Sequence, residues 1–120
     1  MSYRTATLAL AAALAVSALV PASGAGMAPL AARDCTPPGY PGSGYFTALS
    51  VKGTSCKVGK RLALAYYRCR TATGPAGRCT RKVKRFSCTE VRQSISTQLD
   101  GRVRCKRGDA RVTHSYQQNL

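Results

Sequence analysis

Acidic residues are scarce in this 120-residue chain: Asp34, Glu90, Asp100 and Asp109 stand against nineteen lysines and arginines, for a formal net charge of +15. Four carboxylates cannot neutralise so many cations, so most of the positive charge must face water or an external anion. Tryptophan is missing and His114 is the only histidine. No Cys-x-x-Cys occurs, and the shortest cysteine gap, Cys79 to Cys88, has eight residues between. With one histidine and no close cysteine pair, a zinc site has no ligand set at the usual spacing. The chain also lacks a Gly-x-Ser-x-Gly elbow, a Cys–His dyad and a phosphate loop. Nor does it have the His-Asp pair beside a cysteine that a secreted phospholipase would need.

A long uninterrupted apolar run is absent too. Arg4 precedes Leu8 to Val20, and Pro21, Gly24, Gly26 and Pro29 then cut the stretch short of the roughly 20 residues a membrane span requires. A charged start, an apolar middle and the small residues Pro21-Ala22-Ser23-Gly24-Ala25 are the order of a secretory signal peptide. Residues 1–25 are therefore read as a signal peptide, cleaved between Ala22 and Ala28, with no transmembrane anchor. A lipid anchor does not fit, because Arg33-Asp34 precede Cys35 where small residues would be needed.

The mature chain is then one small domain of roughly 95 residues, a size that buries only a modest core. It contains six cysteines, Cys35, Cys56, Cys69, Cys79, Cys88 and Cys105. An even number in an exported chain reads as a framework of up to three disulfides. Such bridges restrict the unfolded chain and offset the self-repulsion of a strongly cationic fold.

Residues 26–43, with Pro29, Pro37, Pro38 and Pro41, form an extended lead-in; residues 44–120 form the domain. Tyr45 to Lys52 reads as a strand with Tyr45, Leu49 and Val51 on one face. Thr54 to Cys69 reads as a helix. Val58, Leu62, Ala65 and Cys69 recur at helical spacing, widened by Gly59, Ala63 and Tyr66, and Thr54 or Ser55 is placed to cap it. Arg68 and Arg70 suit the negative end of its dipole. Thr71 to Gly77 is a loop by composition, flanked by Cys69 and Cys79, which are expected to pair. Val83 to Val91 reads as a second strand, a third contains Val103 and Cys105, and Ala110 to Tyr116 is the fourth. A turn at Arg107-Gly108-Asp109 sets Cys105 opposite Val112 and Val103 opposite His114, all inward. A tight hairpin at Asp100-Gly101 would turn Ser96 and Gln98 inward and Ile95 and Leu99 outward, so a longer connection from Arg92 to Gly101 is expected. The fold class is α+β: strand, helix, then three antiparallel strands, with the helix on one face of a small sheet. For the other cysteines, Cys56–Cys88 and Cys35–Cys105 are favoured, because the helix start and the far half of the second strand should share one end of the sheet. Three pairings of these four remain open.

Ser55-Cys56 with the helix after it, Arg85-Phe86-Ser87-Cys88 and Val103-Arg104-Cys105 resemble elements of small secreted cysteine-containing proteins of actinobacteria and related high-GC bacteria. The Ala/Arg/Gly-rich usage is similar. The resemblance spans roughly residues 45–116 and implies export and disulfide bonding, with no activity attached. The Cys69 and Cys79 pair departs from the commoner four-cysteine pattern.

On the sheet face away from the helix, strand parity collects Arg85, Arg102, Arg104, Lys106 and Arg111 among Ser87, Thr89, Thr113 and Ser115. Arg81, Lys82 and Lys84 extend the patch. Cations among hydroxyls suit the phosphates of nucleic acid, teichoic acid or anionic lipid. No aromatic residue falls on that face by parity, so stacking on bases is not expected. The leading expectation is a secreted, monomeric, non-enzymatic module that binds a polyanion at the cell envelope or outside, using neither cofactor nor metal. One alternative is a disulfide-stapled inhibitor or interaction module presenting Thr71 to Arg78. The other is a ribonuclease-like hydrolase using Glu90 as base, His114 as acid and Tyr116 with nearby arginines around the phosphate. Against it, inward parity makes His114 a core residue, and Glu90 is an equally good partner for Lys84 or Arg92.

Overall fold

A computed structural model describes residues 12–18 and 31–120. The signal-peptide reading of residues 1–25, its cleavage window and the start of the lead-in fall outside the described residues, apart from residues 12–18. In that short stretch Leu14 and Val16 are exposed and add nothing to the core.

The domain is one antiparallel sheet with a single helix on it. Its elements are β1 (Arg33–Asp34), β2 (Gly44–Lys52), α1 (Cys56–Thr71), β3 (Ser87–Ile95), β4 (Gln98–Arg107) and β5 (Ala110–Asn119). The sheet order is β1-β2-β5-β4-β3, so five strands take part where four were expected. The extra one comes from the lead-in: Arg33 and Asp34 pair with Val51 and Ser50.

Ser55 caps α1 by accepting a bond from the Val58 amide at 3.1 Å, satisfying a donor that the first turn leaves free. The helix buries Gly59, Leu62, Ala63, Tyr66 and Arg70. That stripe is rotated slightly from the expected one and ends on a cation. Leu62 is fully buried, which removes enough apolar surface from water to stabilise the fold by about 2 kcal/mol. Gly59 is required by proximity: a Cβ there would come within 2.6 Å of Val51 Cγ1, so the helix lies close on β2. Val51, Leu49, Leu99, Val103, Cys105, Val112 and Tyr116 complete the core on this face.

The β4–β5 register has Cys105 opposite Val112 and Val103 opposite His114, as the alternation predicts. The β3–β4 connection differs from the sequence expectation. It is a two-residue turn at Ser96-Thr97, with Ile95 opposite Gln98, and Asp100-Gly101 lies inside β4. Gly101 is explained by packing: a Cβ there would meet the Tyr116 ring at 2.4 Å.

This register corrects the disulfides. Cys88 and Cys105 are directly opposed and bridge to each other, with Cα atoms 4.1 Å apart. Cys35 bridges Cys56, tying the lead-in to the helix start, and Cys69 pairs with Cys79 as expected. The favoured Cys56–Cys88 and Cys35–Cys105 pairs are therefore replaced. They rested on the helix start and the far half of the second strand sharing one end of the sheet, whereas the Ser96-Thr97 turn sets Cys88 directly across from Cys105. Loops of 10 to 21 residues are closed, each constraining the unfolded chain by about 3 kcal/mol.

Candidate polyanion interface

The helix touches β2 and β5 on one face, and no described element covers the other. On that open face the register fixes each neighbour. Lys106 lies opposite Arg111 on β5 and Ser87 on β3; Arg104 lies between Thr113 and Thr89; Arg102 lies between Ser115 and Val91. Arg102, Arg104, Lys106 and Arg111 are all exposed. The two ion pairs among the described residues both converge on Glu90, so none of these four has a carboxylate partner. Arg111 donates to the carbonyls of Gly108 and Ala110 at 2.6 and 3.0 Å, which fixes its guanidinium at the end of the row. Alternation in β4 and β5 turns every second residue outward: Arg102, Arg104, Lys106, Arg111, Thr113 and Ser115 are cations or hydroxyl-bearing, and Gln98, Asp100, Gln117 and Asn119 occupy the far end of the same face.

Three details differ from the sequence reading. Arg85 does not share this face. Val83 to Phe86 is a tight turn closed by reciprocal backbone bonds, with Lys84 and Arg85 at φ 48° and 64°, and the strand begins only at Ser87. Lys52, opposite Arg111, joins the row instead; it follows inward Val51 and was legible by parity. Tyr45 is the third. A bulge between Phe46 and Ala48 shifts the register, so Phe46 pairs with inward Tyr116 while Tyr45 pairs with outward Gln117. Tyr45 is 64% exposed, so the open face carries an aromatic ring that strict alternation had placed inside.

The residues considered for hydrolysis are built into the interior. His114 is 1% exposed, edge-on to Phe46 and Tyr66, and neither ring nitrogen has a hydrogen-bond partner. Burial, with a smaller contribution from the Arg70 charge, lowers its pKa to about 4. Glu90 accepts from Arg92 Nε and from the Tyr116 hydroxyl, each at 2.6 Å. Burial and then the bond to Glu90 push the Tyr116 phenol well above its ordinary pKa. His114 and Glu90 thus share no solvent cleft, and their polar atoms are respectively isolated and occupied.

Around them lies a polar cluster that the sequence reading missed. Arg70 is 1% exposed. It donates to Pro75 O at 2.6 Å and to the Tyr40 hydroxyl at 2.7 Å, and its guanidinium lies 4.1 Å from the Tyr116 ring centre. Arg92 donates to the carbonyls of Ala76 and Gly77 at 2.9 and 2.7 Å. Two arginines and the Cys69–Cys79 bridge therefore clamp the 72–79 loop. Its path is two successive turns, with Gly74 bonded back to Thr71 and Gly77 to Gly74. An extended, outward backbone of the sort a protease cleft reads is not what this loop presents.

No family model, curated protein or solved structure matches the chain. Among the described residues no cluster of three or more His, Cys, Asp or Glu could hold a metal, and no helix is long and apolar enough to cross a membrane.

Proposed function

We propose that the protein is an exported polyanion-binding module that acts by association and not by catalysis. The observation that carries this is the row Arg102, Arg104, Lys106 and Arg111, exposed on an uncovered sheet face without carboxylate partners. Desolvated ion pairs inside the fold would have consumed those charges; here they are free to displace counterions from a phosphate polymer or an anionic surface. Three disulfides suit an oxidising compartment, which supports export. The flanking hydroxyls of Ser87, Thr89, Thr113 and Ser115 add neutral donors to phosphate oxygens without sequence preference.

The test is binding of the oxidised protein, lacking residues 1–25, to duplex DNA, teichoic acid and anionic-lipid vesicles across a salt series. Four or five contacts predict a log–log salt slope near −4 on duplex DNA, which is a loss on the order of 100-fold between 50 and 200 mM salt. Changing Arg102, Arg104, Lys106 and Arg111 together to Ser should flatten the slope to about −1 or less without lowering Tm. Unchanged affinity in that variant would refute the interface.

A further inference from the structure

The displaced Arg85 belongs to a second basic feature, on the other side of the sheet edge. Arg61 of α1, Lys84 and Arg85 of the tight turn, and Arg107 at the end of β4 line one cleft of about 310 Å³ with Val58 and Phe86. All four cations are exposed and no carboxylate lines the cleft. Arg107 is held in place: its guanidinium stacks 4.3 Å from the Phe86 ring centre and donates to Lys84 O at 3.1 Å.

The turn that supplies the other cations is conformationally unfavourable. Val83 and Phe86 exchange both backbone bonds, at 3.0 and 2.8 Å, across a two-residue loop. Both loop residues have positive φ, a conformation suited to Asn-Gly and disfavoured for long side chains. Lys84 and Arg85 are the only non-glycine residues with positive φ among the described residues. A turn that needs Asn-Gly but holds Lys-Arg keeps two charges beside two others, at a cost in backbone strain.

We propose that this cleft binds a phosphate monoester. Four cations exceed what a monovalent carboxylate or sulfate ester can balance, whereas a phosphate monoester carries close to two negative charges and three acceptor oxygens. Two arginines on separate elements, α1 and β4, offer planar forks to those oxygens. The site uses none of the four residues of the open sheet face and stands independently of that interface.

The experiment is a ¹H–¹⁵N NMR titration of the oxidised protein lacking residues 1–25. The probes are glycerol 3-phosphate, methyl sulfate, and a short oligonucleotide with or without a 5′-phosphate. Saturable shifts at Arg61, Lys84, Arg85 and Arg107, at least fivefold tighter for glycerol 3-phosphate than for methyl sulfate, are expected. Tighter binding of the 5′-phosphorylated oligonucleotide than of glycerol 3-phosphate would assign the group to a polymer end; the reverse would assign it to a small ester. Arg61→Gln, at an exposed helix position, should weaken glycerol 3-phosphate at least tenfold. Lys84→Asn with Arg85→Gly should do the same while raising Tm by about 5 °C through relief of the turn. The fourfold Ser variant of the open face should leave glycerol 3-phosphate affinity unchanged. Non-saturating shifts, equal affinity for methyl sulfate, or full affinity in either cleft variant would overturn the proposal.

Discussion

Replacing His114 with Phe tests whether the interior of this domain contains an acid-sensitive weak point. The ring is enclosed by Phe46 and Tyr66, and neither nitrogen has a partner. Phe retains the edge-on contacts and removes both orphaned polar atoms. The folded-state pKa of about 4 lies below the ordinary 6.5 because burial, and secondarily Arg70, disfavours the imidazolium. Above pH 6.5 the ring is neutral in folded and unfolded states, so no pH-dependent stability is lost. As pH falls below 6.5 the unfolded chain takes up a proton that the folded chain refuses, and stability declines until pH 4. Between pH 7.5 and 4.5 this removes about 2.5 kcal/mol, equivalent to roughly 10–15 °C in Tm for a domain of this size. Urea unfolding followed by circular dichroism, with disulfides intact, should show that loss in the native protein. His114→Phe should lack it and at pH 7 should be at least as stable, since an unpaired buried donor costs about 1–3 kcal/mol. The carboxylates also titrate in this range, but they are common to both proteins. Parallel pH profiles for the two would refute the reasoning.

Gly101→Ala should destabilise the fold by about 1–3 kcal/mol, read as a lower urea midpoint, because its methyl would strike the Tyr116 ring. Glu90→Gln leaves the largely buried Arg92 without its carboxylate and should cost about 3 kcal/mol; faster amide exchange at Gly77 and Arg78 would report the loosened loop. Cys69→Ala with Cys79→Ala should cost about 3 kcal/mol by thermal unfolding, yet leave loop amide shifts near their native values because Arg70 and Arg92 still hold three of its carbonyls.

The helix, β2 and the β4–β5 hairpin were legible because their inward residues are apolar at the right period. Val103 and Cys105 against Val112 and His114 permit only one register around Gly108, at φ 54°. β3 was legible only in its first half, where Cys88 turns inward and Ser87 and Thr89 outward; from Glu90 to Ile95 its pattern is inverted. It turns Cys88, Glu90, Arg92 and Ser94 toward the helix side, and leaves Val91 and Ile95 76% and 66% exposed. A reading that seeks apolar residues inside rejects that register and with it the Ser96-Thr97 turn. The inversion is stable because Glu90 and Arg92 satisfy each other and Arg92 also holds the loop carbonyls, partners distant in sequence. Tyr45 was misplaced for a related reason: alternation has no signal for a single-residue bulge. Arg70 was assigned to the helix dipole, although Tyr40, Pro75 and Gln118 give it a buried role that helical periodicity alone does not reveal.

The use of acid in this molecule connects fold and proposed function. Of four carboxylates, Glu90 alone makes ion pairs among the described residues, and it spends them on the cluster that fixes the loop. Asp100 is instead held by Gln98 on the open face, at 3.0 Å to each oxygen. The cations of the open face and of the Lys84–Arg85 cleft consequently repel one another in the free protein, and the fold is maintained against that repulsion by three covalent bridges and an apolar core. An anion bound at either place relieves repulsion that neighbouring side chains do not. Binding and stability are then linked: the ligand's free energy adds directly to that of the folded state. A chain stabilised mainly by its own surface ion pairs would gain much less from the same ligand, because each contact would first have to displace an existing carboxylate.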